Sequence, residues 1–435
     1  MTQKDGMRMK KLNLRGKFAI FMGKMAAKAS RMTGRGNGGM IGGRIALKLD
    51  PQIMSKLAYG RKVILVTGTN GKSTTTKMTC AALRTLGEVT TNDLGDNMHD
   101  GVVSAMMNNP KAPYVVLEVD EMHLESVARR TDPTGIILLN LTADQLDRVG
   151  EIATTEKKVR EGVEVSKNAF VVANCDDPMV ASAAWDAKER IWCACSLGDT
   201  QDCLVFPRTR GVVKYDGLLW VGLDEHGVET NYSRPNADWF YDSESKLYGI
   251  GVITEVDVKL PGMANRMNAM QALACAVRLG ADVDKAVSAI GKIGNVAGRY
   301  SLVDVEGKHV HMLLAKNPAG WNQAISMLDS QAKSIVIGVN DMVGDGIDVS
   351  WLWDINFKTL KDIVANNPSC KIYACGMRSY DLAVRLDYAG IPYEICTDPM
   401  EAILKSPSGR VELVANYTSF HEVKHEINAR GYKYL

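Results

Sequence analysis

Short, continuous apolar runs punctuate the chain: Val63 to Val66, Tyr114 to Leu117 before an acidic end at Glu121, Gly135 to Leu139, Phe170 to Ala173, Ser334 to Val339, Lys371 to Cys375 and Arg410 to Ala415. Apart from the start of Arg410 to Ala415, they do not alternate apolar with polar, which predicts strands buried on both faces, as in a parallel sheet. Between them the period lengthens. Ser73 to Leu86 reads as a helix, and Leu260 to Gly280 begins as a turn and continues as an Ala-rich helix closed by Gly280. From Trp192 to about Val258 the pattern breaks into short alternating runs with many turns, including Leu218 to Val221 and Tyr248 to Ile253, which predicts a small β insertion. Near the start, Leu14, Phe18, Phe21, Met22, Met25 and Ala29 recur at helical spacing, followed by the glycine-rich turn Gly34 to Gly39. Tyr417 to His421 reads as a late loop.

Composition changes this picture little. With 435 residues, 46% hydrophobic and 23% charged, the chain has room for two or three domains with their own cores. No apolar run approaches a membrane span and the start does not read as a signal peptide, so a cytoplasmic location is expected, with the inner membrane face as a variant of it. Nine cysteines, an odd number scattered through the chain, suit reduced thiols better than a disulfide framework. Cys175, Cys193, Cys195 and Cys203 form no C-x-x-C pair, so buried or idle thiols are expected there rather than a zinc site.

Charge adds one asymmetry. The net value is +2, yet Met1 to Lys48 holds twelve Lys or Arg against the single acid Asp5. This basic arm is read either as a helix packed on the first domain with a solvated basic face, or as a contact for an anionic membrane surface or a polyanionic substrate. Basic residues interleaved with aromatics are missing, so nucleic acid is not expected as a partner.

The most informative chemistry follows the first buried run. In Thr67-Gly-Thr-Asn-Gly-Lys-Ser-Thr74, Gly68 and Gly71 let the backbone approach an anion, amides at the helix start point outward, Lys72 adds a positive charge and Ser73 offers a hydroxyl to Mg²⁺. Gly68, Thr69, Asn70, Gly71, Lys72, Ser73 and Thr74 are therefore the candidate nucleotide-binding residues, with Lys72 also a catalytic candidate. The full phosphate-loop pattern has a further glycine where this chain has Val66. The run from Tyr114 ends in Glu118, Asp120 and Glu121, at a strand end where a metal ligand is needed; Asp120 and Glu121 read equally well as solvated loop acids.

This loop resembles that of the Mur ligase and folylpolyglutamate synthase superfamily, whose members use ATP to convert a carboxylate into an acyl phosphate that an amine attacks. The resemblance implies ATP and Mg²⁺ as cofactors, with Glu118 and Ser73 holding the metal. Asn174 to Pro178 matches the superfamily's N-x-D-D-P, and Gly262, Asn265, Asn268 and Ala269 match G-x-x-N-x-x-N-A, whose first Asn, here Asn265, touches adenine. The plainer reading is that these Asn residues cap and pack the helix. Gly298-Arg299 resembles the linker whose Arg approaches the terminal phosphate. Two departures point to one branch. Gln145 stands where amino-acid-adding ligases have a metal-orienting His, and Leu313 and Lys316 replace the Asp and His of their D-Y-A-H-x-P. Lys316-Asn-Pro-Ala-Gly320 and Asp348-Val-Ser-Trp-Leu-Trp-Asp354 are instead similar to segments of the MurT family.

The expected architecture is α/β in three parts: a basic arm over 1–59, a Mur-ligase-like central P-loop ATPase domain over 60–294 with a parallel sheet and a β insertion at about 192–258, and a C-terminal Rossmann-like α/β domain over 299–435. The resemblance implies ATP-dependent amidation of the D-glutamate α-carboxylate of a lipid II stem peptide, or a related muropeptide, through an acyl phosphate. Ammonia would come from a GatD-type glutaminase subunit in a heterodimer, since no cysteine here sits in a nucleophile elbow. It also implies that Asp348 serves the partner's glutaminase chemistry. A stand-alone Mur or folylpolyglutamate-type amino-acid ligase is the alternative, and a non-catalytic P-loop scaffold a third class.

Overall fold

The computed structural model describes residues 11–32, 40–92, 96–142, 152–195, 203–242, 244–260, 262–293, 300–346 and 348–435. Gln145, Arg299 and the glycine-rich turn 34–39 lie outside the described residues. The chain divides into two compact units, the described residues up to 293 forming the first and those from 300 to 435 the second.

The strands of the first unit are β1 (Lys62–Thr67), β2 (Val89–Thr91), β3 (Tyr114–Glu118), β4 (Gly135–Leu138), β5 (Phe170–Asn174), β6 (Glu189–Ala194), β7 (Val213–Asp216), β8 (Leu219–Leu223), β9 (Glu229–Ser233), β10 (Trp239–Tyr241), β11 (Leu247–Gly249) and β12 (Val252–Thr254). Among the described residues, nine of them form one sheet in the order β12-β11-β10-β6-β5-β4-β1-β3-β2. From β2 to β10 it is parallel, and only the β10-β11-β12 edge is antiparallel. Every residue of β1 after Lys62 is buried, as its unbroken apolar run requires. β1 pairs with β3 on one side and β4 on the other, so the chain changes direction across the sheet there. Such a switch point opens a crevice at the strands' carboxyl ends, where α/β proteins bind ligands.

The separate insertion is smaller than the sequence pattern suggests. Only β7, β8 and β9 form a sheet of their own, while β10 pairs in parallel with β6 and so continues the main sheet. Reciprocal bonds between Asp238 and Trp192 fix that pairing: the Asp238 carboxylate accepts from the Trp192 amide at 2.7 Å, and the Asp238 amide donates to the Trp192 carbonyl at 2.8 Å. Trp220 ties the small sheet back to β5 by donating its indole N–H to the Cys175 carbonyl at 3.0 Å.

The basic arm contains helices Leu14–Met32 and Ile41–Leu49, both within the first unit. Its apolar periodicity is helical, but the burial is opposite to that expected of an apolar stripe. Gly16, Ala19, Ile20 and Gly23 face inward, while Leu14, Phe18, Phe21, Met22 and Met25 are exposed. The reason is close backbone approach. A Cβ on Gly23 would lie 2.6 Å from the Gly42 carbonyl oxygen, and one on Gly43 would overlap the Asp100 carbonyl, so the small residues are the ones that can be buried.

The second unit has β13 (Tyr300–Val305), β14 (Lys308–Leu314), β15 (Ser334–Gly338), β16 (Lys371–Cys375), β17 (Glu394–Ile395), β18 (Gly409–Ala415) and β19 (Lys433–Tyr434). They form a sheet in the order β17-β16-β15-β18-β14-β13-β19, parallel from β17 to β14. Alternate residues feed two cores. Ile335 and Ile337 pack in one cluster and Val336 in the other, so both faces are covered. Tyr417 to His421 is no loop: it opens the helix Tyr417–Ala429.

Candidate active site

The turn after β1 is held in shape by polar groups from the neighbouring strand ends. The Thr69 amide donates to the Asn140 carbonyl at 2.8 Å. The Asn70 amide donates to Asn140 Oδ1 at 2.9 Å, and Asn140 Nδ2 returns a bond to the Asn70 carbonyl at 3.0 Å. Thr69 Oγ1 also accepts from the Thr142 amide at 3.1 Å. Gly71, with φ +87°, precedes the helix Lys72–Leu83 in a conformation that L side chains avoid, and a Cβ there would meet Asn268 Oδ1 at 2.8 Å. Gly68 is similarly crowded, its hypothetical Cβ lying 2.8 Å from Leu139 Cβ. The glycines thus meet two demands, an unusual backbone and tight packing.

Two pairs of side chains converge at this turn. Lys72 Nζ donates to the Gly68 carbonyl at 2.6 Å, the Thr69 carbonyl at 3.2 Å and both Glu121 oxygens at 3.1 and 3.2 Å. Ser73 Oγ donates to Glu118 Oε2 at 2.8 Å. Glu118 closes β3 and is buried; Asn92 fixes its backbone by accepting from the Glu118 amide and donating to its carbonyl, both at 2.8 Å. The hard oxygens of Ser73 and Glu118, side by side at a helix N-terminus, fit Mg²⁺, which takes one or two protein oxygens and completes its shell with water and phosphate. The ammonium of Lys72, one residue earlier, fits the phosphates themselves.

Other expected residues lie around this centre. Asn265 sits in the first turn of the helix Met263–Arg278, where its Oδ1 accepts from Asn268 Nδ2 at 3.4 Å. It is Asn268, rather than Asn265, that packs against Gly71. Thr74 is buried in the first turn of the phosphate-loop helix. Glu121, which sequence left undecided between site and solvent, is buried against Lys72; burial raises its pKa and the Lys72 charge opposes that rise. Asp120 instead caps the short turn Glu121–His123 by accepting from the Met122 amide at 3.0 Å. Asn92 and Asn140 were not singled out from sequence, although both are amides at strand ends next to glycine or carboxylate motifs.

Near the insertion, Cys175, Cys193, Cys195 and Cys203 are all buried. Cys175 donates to the Cys193 carbonyl at 3.3 Å, and burial pushes the Cys175 and Cys195 thiols up to about 12.

In the second unit, Asn317 caps the helix Pro318–Ser326 by accepting from the Gly320 amide at 2.8 Å, and the Lys316 ammonium lies 5.4 Å from the Tyr417 ring centroid. The acidic loop divides its acids between two tasks. Buried Asp345 accepts from the Thr418 amide at 2.8 Å and from the Thr418 hydroxyl, which fastens the loop to the helix Tyr417–Ala429. Asp348 is exposed; its oxygens accept from the Ser350 amide at 2.8 Å and the Ser350 hydroxyl at 3.0 Å, which hold the carboxyl below its ordinary range. Behind it, Arg385 donates to the Leu352 and Ile355 carbonyls and stacks 5.5 Å from Trp353.

The chain resembles known proteins in both of its units. Residues 66–212 match the model of the Mur ligase middle domain, and residues 314–420 that of the MurT ligase C-terminal domain. The chain is 29% identical over 439 aligned residues to the lipid II isoglutaminyl synthase (glutamine-hydrolyzing) subunit MurT of Streptococcus pneumoniae, covering 94% of this chain and 97% of that one. The Staphylococcus aureus (strain COL) protein of the same name is 28% identical, with the same coverage. Among solved structures, MurF from Acinetobacter baumannii matches with a TM-score of 0.65 at 16% identity, covering 88% of this chain and 80% of that one. A pseudomurein peptide ligase type C from Methanothermus fervidus matches with a TM-score of 0.64 at 17% identity, covering 86% and 81%. The chain thus pairs a match to the Mur ligase middle domain with one to the MurT ligase C-terminal domain, as an ATP-dependent ligase would, and is similar over 94% of its length to MurT subunits.

Proposed function

We propose that this chain is the synthetase half of a glutamine-dependent amidotransferase, which converts the α-carboxylate of D-glutamate in the stem peptide of lipid II, or a related muropeptide, into an amide. The carboxylate oxygen attacks the γ-phosphorus of ATP, ADP leaves, ammonia attacks the resulting acyl phosphate, and inorganic phosphate departs as the amide forms. Ammonia comes from a separate glutaminase subunit of the GatD type. Lys72 and the amides at the start of its helix hold the phosphates in line and offset the charge that develops on them. Ser73 and Glu118 would hold Mg²⁺, which would supply Lewis-acid stabilisation of phosphate charge. Asn265 is assigned to the adenine and Arg299 to the terminal phosphate. Asp348 is assigned to the partner's glutaminase centre.

The observation that carries the reading is the convergence of Lys72, Ser73 and Glu118 at the β1 switch point, in a chain whose second unit matches the MurT C-terminal model. The test uses the purified chain with ATP, Mg²⁺, free ammonia and a D-glutamate-containing muropeptide. Mass spectrometry should show a carboxyl converted to an amide, with ADP released in step, and Lys72→Ala should lower this turnover by at least a hundredfold without unfolding the protein. Attachment of a whole amino acid, when amino acids are supplied in place of ammonia, would instead establish the stand-alone ligase. Lys72→Ala turnover within a few-fold of wild type would overturn the nucleotide site.

A further inference from the structure

The outward face of the helix Leu14–Met32 is the largest feature that the reaction leaves unused. Leu14, Phe18, Phe21, Met22 and Met25 are 83%, 56%, 59%, 38% and 51% exposed. At 100° per residue they form one stripe, on the side opposite the buried Gly16, Ala19, Ile20 and Gly23. Lys17, Lys24, Lys28 and Arg31, separated by seven, four and three residues, run along one edge of that stripe, and the helix contains no acid. The helix is about 28 Å long at 1.5 Å per residue. It is held to the first unit by its glycine face, and Arg15 donates to the Leu49 carbonyl at 2.8 Å.

A surface helix exposes lysines readily, but not two Phe and three large aliphatic side chains on the face turned away from the core. We infer that this face docks on an anionic lipid bilayer, lying in the membrane plane with Phe18, Phe21 and Met25 at the headgroup–acyl boundary and the Lys17, Lys24, Lys28 and Arg31 row at the headgroups. Charge complementarity selects this occupant. A second copy of the chain would bring the same row of cations against itself, whereas an anionic surface neutralises them. The twelve Lys or Arg in Met1 to Lys48, against one acid, extend the same sign of charge beyond the helix. Long Lys stems lie along apolar surface while their ammonium groups reach water and headgroups, which places them at the edge of an apolar stripe. The described residues contain no helix long and apolar enough to cross a membrane, so the inferred contact is peripheral. It does not depend on the amidation chemistry.

Vesicle sedimentation of the full chain tests it without any turnover. With vesicles of mixed phosphatidylglycerol and phosphatidylcholine, the protein should pellet at least tenfold more efficiently than with phosphatidylcholine alone, and high salt should reduce the difference. Phe18→Ser with Phe21→Ser should lower pelleting by tenfold or more, and Lys24→Gln with Lys28→Gln should remove the preference for phosphatidylglycerol. Both variants change exposed side chains and should keep the wild-type melting temperature and ATP turnover. Wild type that remains in solution with the anionic vesicles overturns the inference, as do serine variants that pellet like wild type. A protein occupant is indicated, and the bilayer rejected, if the serine changes abolish self-association in light scattering or capture of the glutaminase subunit while vesicle binding is unchanged.

Discussion

Glu121 decides how much of the site's charge is balanced by the protein itself. Its carboxylate pairs with the Lys72 ammonium at 3.1 Å with both side chains largely buried. Burial raises its pKa above the ordinary 4.5, with Lys72 the main opposing influence. A carboxyl raised in the fold binds its proton more tightly there than in the unfolded chain. Its contribution to stability is therefore complete below the unfolded pKa and is lost as pH rises through the folded one. Glu121→Gln cannot titrate. Its melting temperature relative to wild type should consequently climb as pH increases from about 4.5 towards neutrality. A difference independent of pH would show that Glu121 is not shifted. The candidates Lys72 and Ser73 are legible in the sequence because a strand, a glycine turn and a Gly-Lys-Ser stand in fixed register, and Glu118 because it ends the next buried run where the superfamily resemblance implies a metal ligand. Glu121 was not, because its direction depends on the short turn Glu121–His123, which Asp120 caps. Asn140 was missed for a similar reason: its two bonds to Asn70 span seventy positions of sequence, and no local pattern encodes them.

Elements show where pattern fails to give direction. The period of Leu14, Phe18, Phe21 and Met25 announces a helix, but period alone cannot tell which face finds a partner. Gly23 and Gly42 approach so closely that only the small-residue face can pack, leaving the larger side chains outside. The insertion is smaller than its pattern suggests because β10, β11 and β12 have the short alternating look of an independent sheet, although β10 adds to β6. Tyr417 to His421 reads as a loop only when taken alone; Phe420, Val423 and Ile427 continue at helical spacing and are buried on one face of the helix Tyr417–Ala429. The phosphate-loop helix gives the sharper test. At Gly71 the positive φ alone costs an L residue about 1–2 kcal/mol, and the added Cβ would press on Asn268. Gly71→Ala should thus lower the melting temperature and weaken ATP binding by tenfold or more, as calorimetric titration would show. A variant binding ATP like wild type would mean that the turn adjusts without consequence.

At the scale of the whole molecule, the centre of the first unit's parallel sheet is legible because β1, β3, β4 and β5 are nearly unbroken apolar runs, whereas Val89–Thr91 and Glu189–Ala194 are not, and the β1 switch point lies at the candidate nucleotide site. The acidic loop of the second unit has a division of labour that its four aspartates conceal in sequence. Asp345 is buried and fastens the loop through Thr418, whereas Asp348 is exposed with a carboxylate that accepts from Ser350. Under the amidotransferase reading, that exposed carboxylate acts on a histidine of the glutaminase subunit, fixing its tautomer and stabilising its charged form while a partner cysteine attacks glutamine. The competing role is local: Asp348 closes the turn into Ser350–Asp354. Asp348→Asn separates the two, because an amide oxygen still accepts from the Ser350 amide and keeps the turn, while the charge is gone. Assembly with the glutaminase subunit and amidation driven by free ammonia should be unchanged, and glutamine-driven amidation should fall by on the order of a hundredfold or more, as loss of a triad acid does. The ammonia reaction serves as the internal control, since it uses Lys72, Ser73 and Glu118 but not the partner's chemistry. If glutamine-driven turnover survives in the Asn variant, or if the complex dissociates, Asp348 serves the turn or the interface and the partner completes its own catalytic centre.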